Sequence, residues 1–293
     1  MKIQDYLGRA AAEVEEALEK FLPEEGQGPE SIHKAMRYCV LGGGKRLRPI
    51  LCFAAAEACG GKRAEALSAA CGVELIHAYS LVHDDLPCMD DDDLRRGRPT
   101  CHKVFGEGMG VLCGDALLTH AFGVVAKAKP NERYSVGDMV AELAEAGGSE
   151  KLIGGQVLDL EGEGKRLGIE DLIRIHEGKT AALLSASLRL GAMSAGASPE
   201  QMKALSVFGR SLGLAFQVID DILDVTQTTE NLGKTAGKDE AASKATYPSV
   251  LGLEKSKFEA ERLTKEALES LCIFGEEGFR LREIAEWMLV REY

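Results

Sequence analysis

Carboxylates crowd two short stretches of this chain. Asp84 and Asp85 run through Leu86-Pro87-Cys88-Met89 to Asp90, and then to Asp91, Asp92 and Asp93; Asp220, Asp221 and Asp224 form the second cluster. Each cluster follows an apolar, helix-patterned run, Val73 to His83 and Leu212 to Ile219. Carboxylates this close repel one another and are costly to desolvate unless a cation neutralises them. Oxygen-only donors with no Cys/His cage suit a hard ion such as Mg²⁺, which keeps waters and bridges phosphates. Two such clusters point to a multi-metal site built to hold a diphosphate. Asp220 and Asp224 share one helix face, while Asp221 points about 100° away. On a straight helix Asp84 and Asp90 would aim about 120° apart. Pro87 lies between them, so the helix is expected to end or kink there and let both carboxylates converge.

Rival readings of these residues fail on spacing. A calcium loop beginning at Asp90 would place Arg95 where Gly is needed and Cys101 where the closing Glu is needed. Gly44-Lys45-Arg46, Gly178-Lys179-Thr180 and Gly233-Lys234-Thr235 imitate a phosphate loop, but Cys39, Ile173 and Thr228 stand where its first Gly belongs. Basic residues are grouped beside the acidic motifs. Gly42-Gly43-Gly44 leads into Lys45, Arg46 and Arg48, and Arg95-Arg96 follows the first cluster. Next to two metal motifs, Lys45 and Arg48 are candidates for a phosphate clamp. His77 lies seven residues before Asp84 on nearly the same helix face. On an apolar helix a lone His is more often a core residue than a ligand.

The elements needed to carry these groups read as helices. The 293 residues are 45% hydrophobic, enough for a large core. Apolar periodicity places helices over 3–22, 31–41, 49–58, 64–83, 110–127, 131–146, 149–160, 169–191, 200–225, 247–271 and 276–293. Residues 87–99 and 226–244 are polar, Gly-bearing loops, and no linker or repeat marks a boundary, so a single all-α domain over 1–293 is expected. The net charge of −12 argues against a nucleic-acid partner. No run approaches the roughly 18 uncharged apolar residues of a membrane span. The acidic first 21 residues do not read as a secretory signal, and the expected location is cytoplasmic. Eight cysteines show no CxxC spacing and read as reduced core thiols, with zinc not expected.

These motifs, in this order, resemble the trans-isoprenyl diphosphate synthases, and within them the bacterial farnesyl diphosphate synthases. The likeness runs from Gly42-Gly43-Gly44-Lys45-Arg46-Leu47-Arg48-Pro49, through His77 to Pro87, Asp90 to Gly97, Gly114 to Leu117, Gly154-Gly155-Gln156 and Lys179-Thr180, to Phe216 to Asp224 and Tyr247-Pro248. The resemblance implies the all-α isoprenoid synthase fold, one helical bundle around a deep central cavity, in a homodimer. It implies three Mg²⁺ ions, with Mn²⁺ as a substitute. Asp84 and Asp90 would hold two and Asp220 the third, supported by Asp85, Asp221 and Asp224. Lys45, Arg48, His77 and Arg96 would bind isopentenyl diphosphate. Arg95, Lys179, Lys234 and Lys244 would bind the allylic diphosphate, with Thr180 and Gln217 near the reacting carbons. Gln156 and Asp159 belong to a motif without an assigned role.

The implied reaction is Mg²⁺-assisted ionisation of an allylic diphosphate, attack by isopentenyl diphosphate, and proton loss to the released pyrophosphate. Tyr79, five residues before Asp84 and next to the small Ser80, would form the floor beneath the growing chain. By the resemblance such an aromatic goes with a C15 product, farnesyl diphosphate. The wording Leu86-Pro87-Cys88-Met89-Asp90 keeps a C20 geranylgeranyl product as the alternative. Geranyl diphosphate synthase and terpene cyclase are more distant readings.

Overall fold

The computed structural model describes residues 1–226 and 245–289. Most of them are helical, and the architecture is all-α as expected, with a single two-residue hairpin among the described residues. The chain divides into two compact units, Met1–Leu143 with Leu190–Gly196, and Ala144–Arg189 with Ala197–Tyr293.

The first unit is built from α1 (Ile3–Phe21), α2 (Glu30–Val40), α3 (Leu47–Ala58), α4 (Arg63–Asp84), α5 (Cys101–Phe105), α6 (Glu107–Val125) and the start of α7 (Val136–Gly147). Helix α3 is apolar all round and correspondingly buried, with Ile50, Leu51, Phe53 and Ala54 fully enclosed. Each such large side chain contributes about 1.5–3 kcal/mol by leaving water. Helix α4 packs against both α3 and α6. Gly72 makes the approach of α6 close, since a Cβ there would stand 3.3 Å from the Ala121 carbonyl. By length and composition α6 could cross a bilayer; it carries Asp115 and His120 and packs one face on α4.

The second unit contains α8 (Leu152–Gly162), α9 (Ile169–His176), a π-helical turn (Glu177–Ala181), α10 (Ala182–Ser194, whose end belongs to the first unit), α11 (Pro199–Thr226), α12 (Tyr247–Leu251), α13 (Leu253–Ser270), a 3₁₀ turn (Leu271–Phe274) and α14 (Phe279–Leu289). The long α11 packs along α13. Gly209 and Gly213 on α11 admit Ser185 and Ala181; Cβ atoms would meet the Ser185 and Ala181 Cα atoms at 2.7 and 2.6 Å.

Several boundaries differ from the sequence-based expectation. Helix α3 starts at Leu47, two residues before Pro49, which is tolerated in the first turn because no amide partner is required there. The expected helix 169–191 is continuous in path but carries the π-helical turn at its centre. The expected helix 247–271 breaks at Gly252, whose φ of 84° suits glycine. Helix α7 begins at Val136 rather than at 131, after Asn131 has accepted the amides of Arg133 and Tyr134 in a turn. Within the loop 87–99 a two-residue hairpin pairs Leu94–Arg95 with Arg98–Pro99. The expected loop 226–244 lies, from 227 on, outside the described residues, as do Lys234 and Lys244.

Candidate active site

In the first unit, helix α4 ends at Asp84, as Pro87 requires. The chain then folds back on itself. Leu86 N–H donates to the His83 carbonyl, Met89 N–H to that of Leu86, and Asp90 N–H to that of Asp84 at 2.9 Å. Residues six apart in sequence are thus brought side by side, which a straight helix could not do. Asp84 is half-buried and Asp90 exposed, whereas Asp85 is buried and ion-paired to Arg95. Arg95 also reaches Asp92 at 3.6 Å. Burial pushes the Asp85 carboxyl up from its ordinary range, with the Arg95 hydrogen bond opposing. Among the described residues no three of the expected metal aspartates bring ligand oxygens within 4.8 Å of one another. Oxygen-only donors on a turn that joins Asp84 to Asp90 nevertheless fit a hard divalent cation that retains waters.

The basic loop before α3 separates three neighbouring cations into different environments. Gly43 and Gly44 have φ of 89° and 142°, a path that glycine adopts without cost, and Arg46 follows at 51°. That left-handed residue is held by three bonds: to Glu15 and Glu74 at 2.6 Å each, and to the Val40 carbonyl at 2.5 Å. Arg46 is therefore structural. Lys45 is exposed. Arg48 is the opposite case, because its Nε is shielded from water without a hydrogen-bond partner. Burial, with Arg96 adding repulsion, holds the Arg48 guanidinium below its ordinary range. Arg96 itself reaches back to the Gly43 carbonyl. His77 is held well below its ordinary pKa by burial and then by Arg48 and Arg96, so at neutral pH it is an uncharged donor. A pocket lined by Arg46, His77, Asp85, Arg95, Arg96 and Arg98 opens here. A half-buried guanidinium with a shielded, unpartnered Nε, beside further cations and a neutral His, is a cradle for an anion.

Tyr79 is buried on α4, edge-on to His83 with centroids 5.9 Å apart. Its phenol is pushed up to about 12 by burial and by the negative charge of Asp84. Ser80 donates to the His77 carbonyl at 3.0 Å.

The second unit arranges its residues on different supports. Lys179 and Thr180 sit on the π-helical turn, a distortion that often marks functional sites. It abuts Gly155 of α8; a Cβ on Gly178 would stand 2.8 Å from the Gly155 Cα, which accounts for glycine at both places. Lys179 Nζ donates to Asp159 Oδ2 at 2.6 Å, and Thr180 Oγ1 donates to Gln217 Oε1 at 2.7 Å. Gln217, Asp220, Asp221 and Asp224 follow along α11. Asp220 is half-buried, while Asp221 and Asp224 are buried. Asp221 accepts the Tyr247 amide at 2.8 Å, tying the start of α12 to α11. His176, which pattern reading passed over, lies against the Tyr247 ring at 5.5 Å, and burial lowers its pKa to about 4.

A polyprenyl synthetase family model matches residues 29–271. The chain belongs to the polyprenyl synthetase family. This polyprenyl synthetase is 52% identical to the large subunit 1 of a chloroplastic heterodimeric geranylgeranyl pyrophosphate synthase from Arabidopsis thaliana, over 98% of this chain and 77% of that protein. A putative farnesyl-diphosphate synthase from Marinomonas sp. MED121 is similar in structure, with TM-score 0.86, 36% identity and 99% of each chain covered. So is a geranyltransferase from Helicobacter pylori solved with magnesium and isoprenyl diphosphate, at TM-score 0.80 and 37% identity, over 97% of this chain and 96% of that one. The family is Mg²⁺-dependent and acts on isoprenyl diphosphates. This polyprenyl synthetase is accordingly a prenyltransferase.

Proposed function

We propose that the protein elongates an allylic diphosphate with isopentenyl diphosphate and carries the chain to C20, geranylgeranyl diphosphate. The observation that carries the second-substrate assignment is Arg48, a half-buried residue whose Nε is shielded from water without a partner, beside Arg96 and the neutral His77. A terpene cyclase has no need of such a clamp for a second diphosphate. Support for C20 comes from the relative named for that product, which is half identical, against a farnesyl-named structure at 36%. Buried Tyr79, lying close enough to Asp84 to feel its charge, favours a C15 end point as the second reading.

Each group has a defined task. Asp84, Asp90 and Asp220 would hold three Mg²⁺ ions, with Asp85, Asp221 and Asp224 fixing their surroundings. Bound there, the ions would neutralise the pyrophosphate as it departs from the allylic carbon. Lys45, Arg48, Arg96 and the uncharged imidazole of His77 bind the diphosphate of isopentenyl diphosphate. Arg95 and Lys179 bind the allylic diphosphate, and Asp159 sets the rotamer of Lys179 through its ion pair. The Thr180 hydroxyl spends its proton on Gln217, leaving its lone pairs to orient toward an electron-deficient carbon. A second copy of this chain would cover Val111 and Leu112, which α6 leaves exposed.

The test is a product assay with isopentenyl diphosphate, Mg²⁺ and dimethylallyl, geranyl or farnesyl primers, followed by chromatography. Geranylgeranyl diphosphate as the longest product is expected. Accumulation of C15 with no use of the farnesyl primer would replace the C20 reading by the C15 one. Absence of any elongation would contradict the reaction itself. Trimming Tyr79→Ala is expected to move the product distribution to longer chains; an unchanged distribution would place the floor elsewhere.

A further inference from the structure

Three cysteines from three helices meet in the first unit. Cys39 on α2, Cys101 at the start of α5 and Cys113 in α6 bring their Sγ atoms within 4.8 Å of one another, and Cys39 and Cys113 are 3.9 Å apart. Among the described residues no other cysteines gather in threes. A metal–thiolate bond of about 2.3 Å sets the sulfur spacing at about 3.8 Å around a tetrahedral ion and about 4.0 Å around a trigonal one. The Cys39–Cys113 separation falls between these values. Cys101 and Cys113 are buried, while Cys39 and Cys101 also line the pocket that holds His77 and Arg95, which gives an ion a route in.

We propose that Cys39, Cys101 and Cys113 form a three-thiolate site for a thiophilic d¹⁰ ion, Zn²⁺ or Cu⁺. Soft sulfur ligands select such ions over Mg²⁺, so the site is chemically separate from the aspartate clusters. Three thiols release three protons as the ion binds, and Zn²⁺ completes its tetrahedron with a water from the pocket. A filled site staples α2 to α5 and α6.

The test uses the full chain, reduced and held in excess Mg²⁺ so that carboxylates are occupied. Titration with Co²⁺ is followed by thiolate-to-cobalt charge-transfer absorption, which carboxylate ligation does not produce; Zn²⁺ is then added to displace it. A parallel titration supplies Cu⁺ against a chromophoric chelator. One equivalent per chain is expected, lost in Cys39→Ser and Cys113→Ser and kept in Cys272→Ser, an exposed cysteine. In the wild-type protein, Zn²⁺ is expected to protect Cys39, Cys101 and Cys113 together from alkylation in peptide maps, which needs no variant to fold. Absence of the band and of protection overturns the site, as does a band that survives Cys113→Ser. A Cys39–Cys113 disulfide formed with peroxide, in a protein that takes up no ion when reduced, would equally overturn it and leave a redox pair instead.

Discussion

The two aspartate clusters share a design and differ in what holds them. In each, the second carboxylate of the pair is the anchor: Asp85 and Asp221 are buried, while Asp84 and Asp220 remain half-buried. Asp85 stands at the end of a helix, where the backbone is turning, and is fixed by the guanidinium of Arg95. Asp221 lies within a long helix that already fixes its backbone, and it accepts the neutral amide of Tyr247. The same contrast extends outward. The basic loop of the first unit rests on Arg46, buried against Glu74 and Glu15, whereas the π-helical turn of the second combines close glycine contacts with the ion pairs Lys179–Asp159 and Arg210–Glu177.

The largest effect that would sharpen this contrast is expected from Arg46→Met. Removing the guanidinium strands Glu74, whose side chain is 3% exposed, and the cost is about 3–5 kcal/mol. A denaturant midpoint that barely moves would mean the loop is held by something other than its ion pairs.

His176 gives the second unit a pH dependence. Its pKa is about 4 when folded and an ordinary 6.5 when unfolded. Above 6.5 both states are neutral; as pH falls from 6.5 toward 4 the unfolded chain takes up a proton that the folded one does not. Stability should therefore fall across that window, by up to about 3 kcal/mol. His77 shifts in the same direction, so the His176→Gln variant is needed to isolate the effect; it should lose less stability between pH 7 and pH 5 than the wild type. Equal losses would place the uptake elsewhere.

The comparison itself is tested by Asp85→Asn against Asp221→Asn. The first replaces the Arg95 ion pair by a cation–amide hydrogen bond, costing about 1.5–3 kcal/mol. The second keeps an oxygen for the Tyr247 amide, and stability is expected to change by less than about 1 kcal/mol. Equal losses would erase the distinction between the two anchors.

Much of this was legible in the sequence. Helix periodicity is a local property, so most elements could be placed, and Pro87 correctly predicts the turn that joins Asp84 to Asp90. What tertiary neighbours decide was not legible. Lys45, Arg46 and Arg48 look equivalent as a basic run, yet one is exposed, one is an internal ion pair and one is half-buried with a shielded, unpartnered Nε. The π-helical turn depends on Gly155 and Gly213, each more than twenty residues from it or separated by a whole helix, and no local pattern announces it. Cys39, Cys101 and Cys113 defeat any spacing rule, because helices rather than a ligand loop bring them together.

Under the proposed function the two acidic clusters serve one ionisation step. Its direct measurement is kcat for Asp84→Ala, Asp220→Ala and the double variant, with folding checked by circular dichroism. Each single change is expected to cost roughly 10²–10³-fold or more. If both act on the same departing pyrophosphate, the double variant should be little worse than either single one. Losses that multiply would show two clusters acting independently and would contradict the claim.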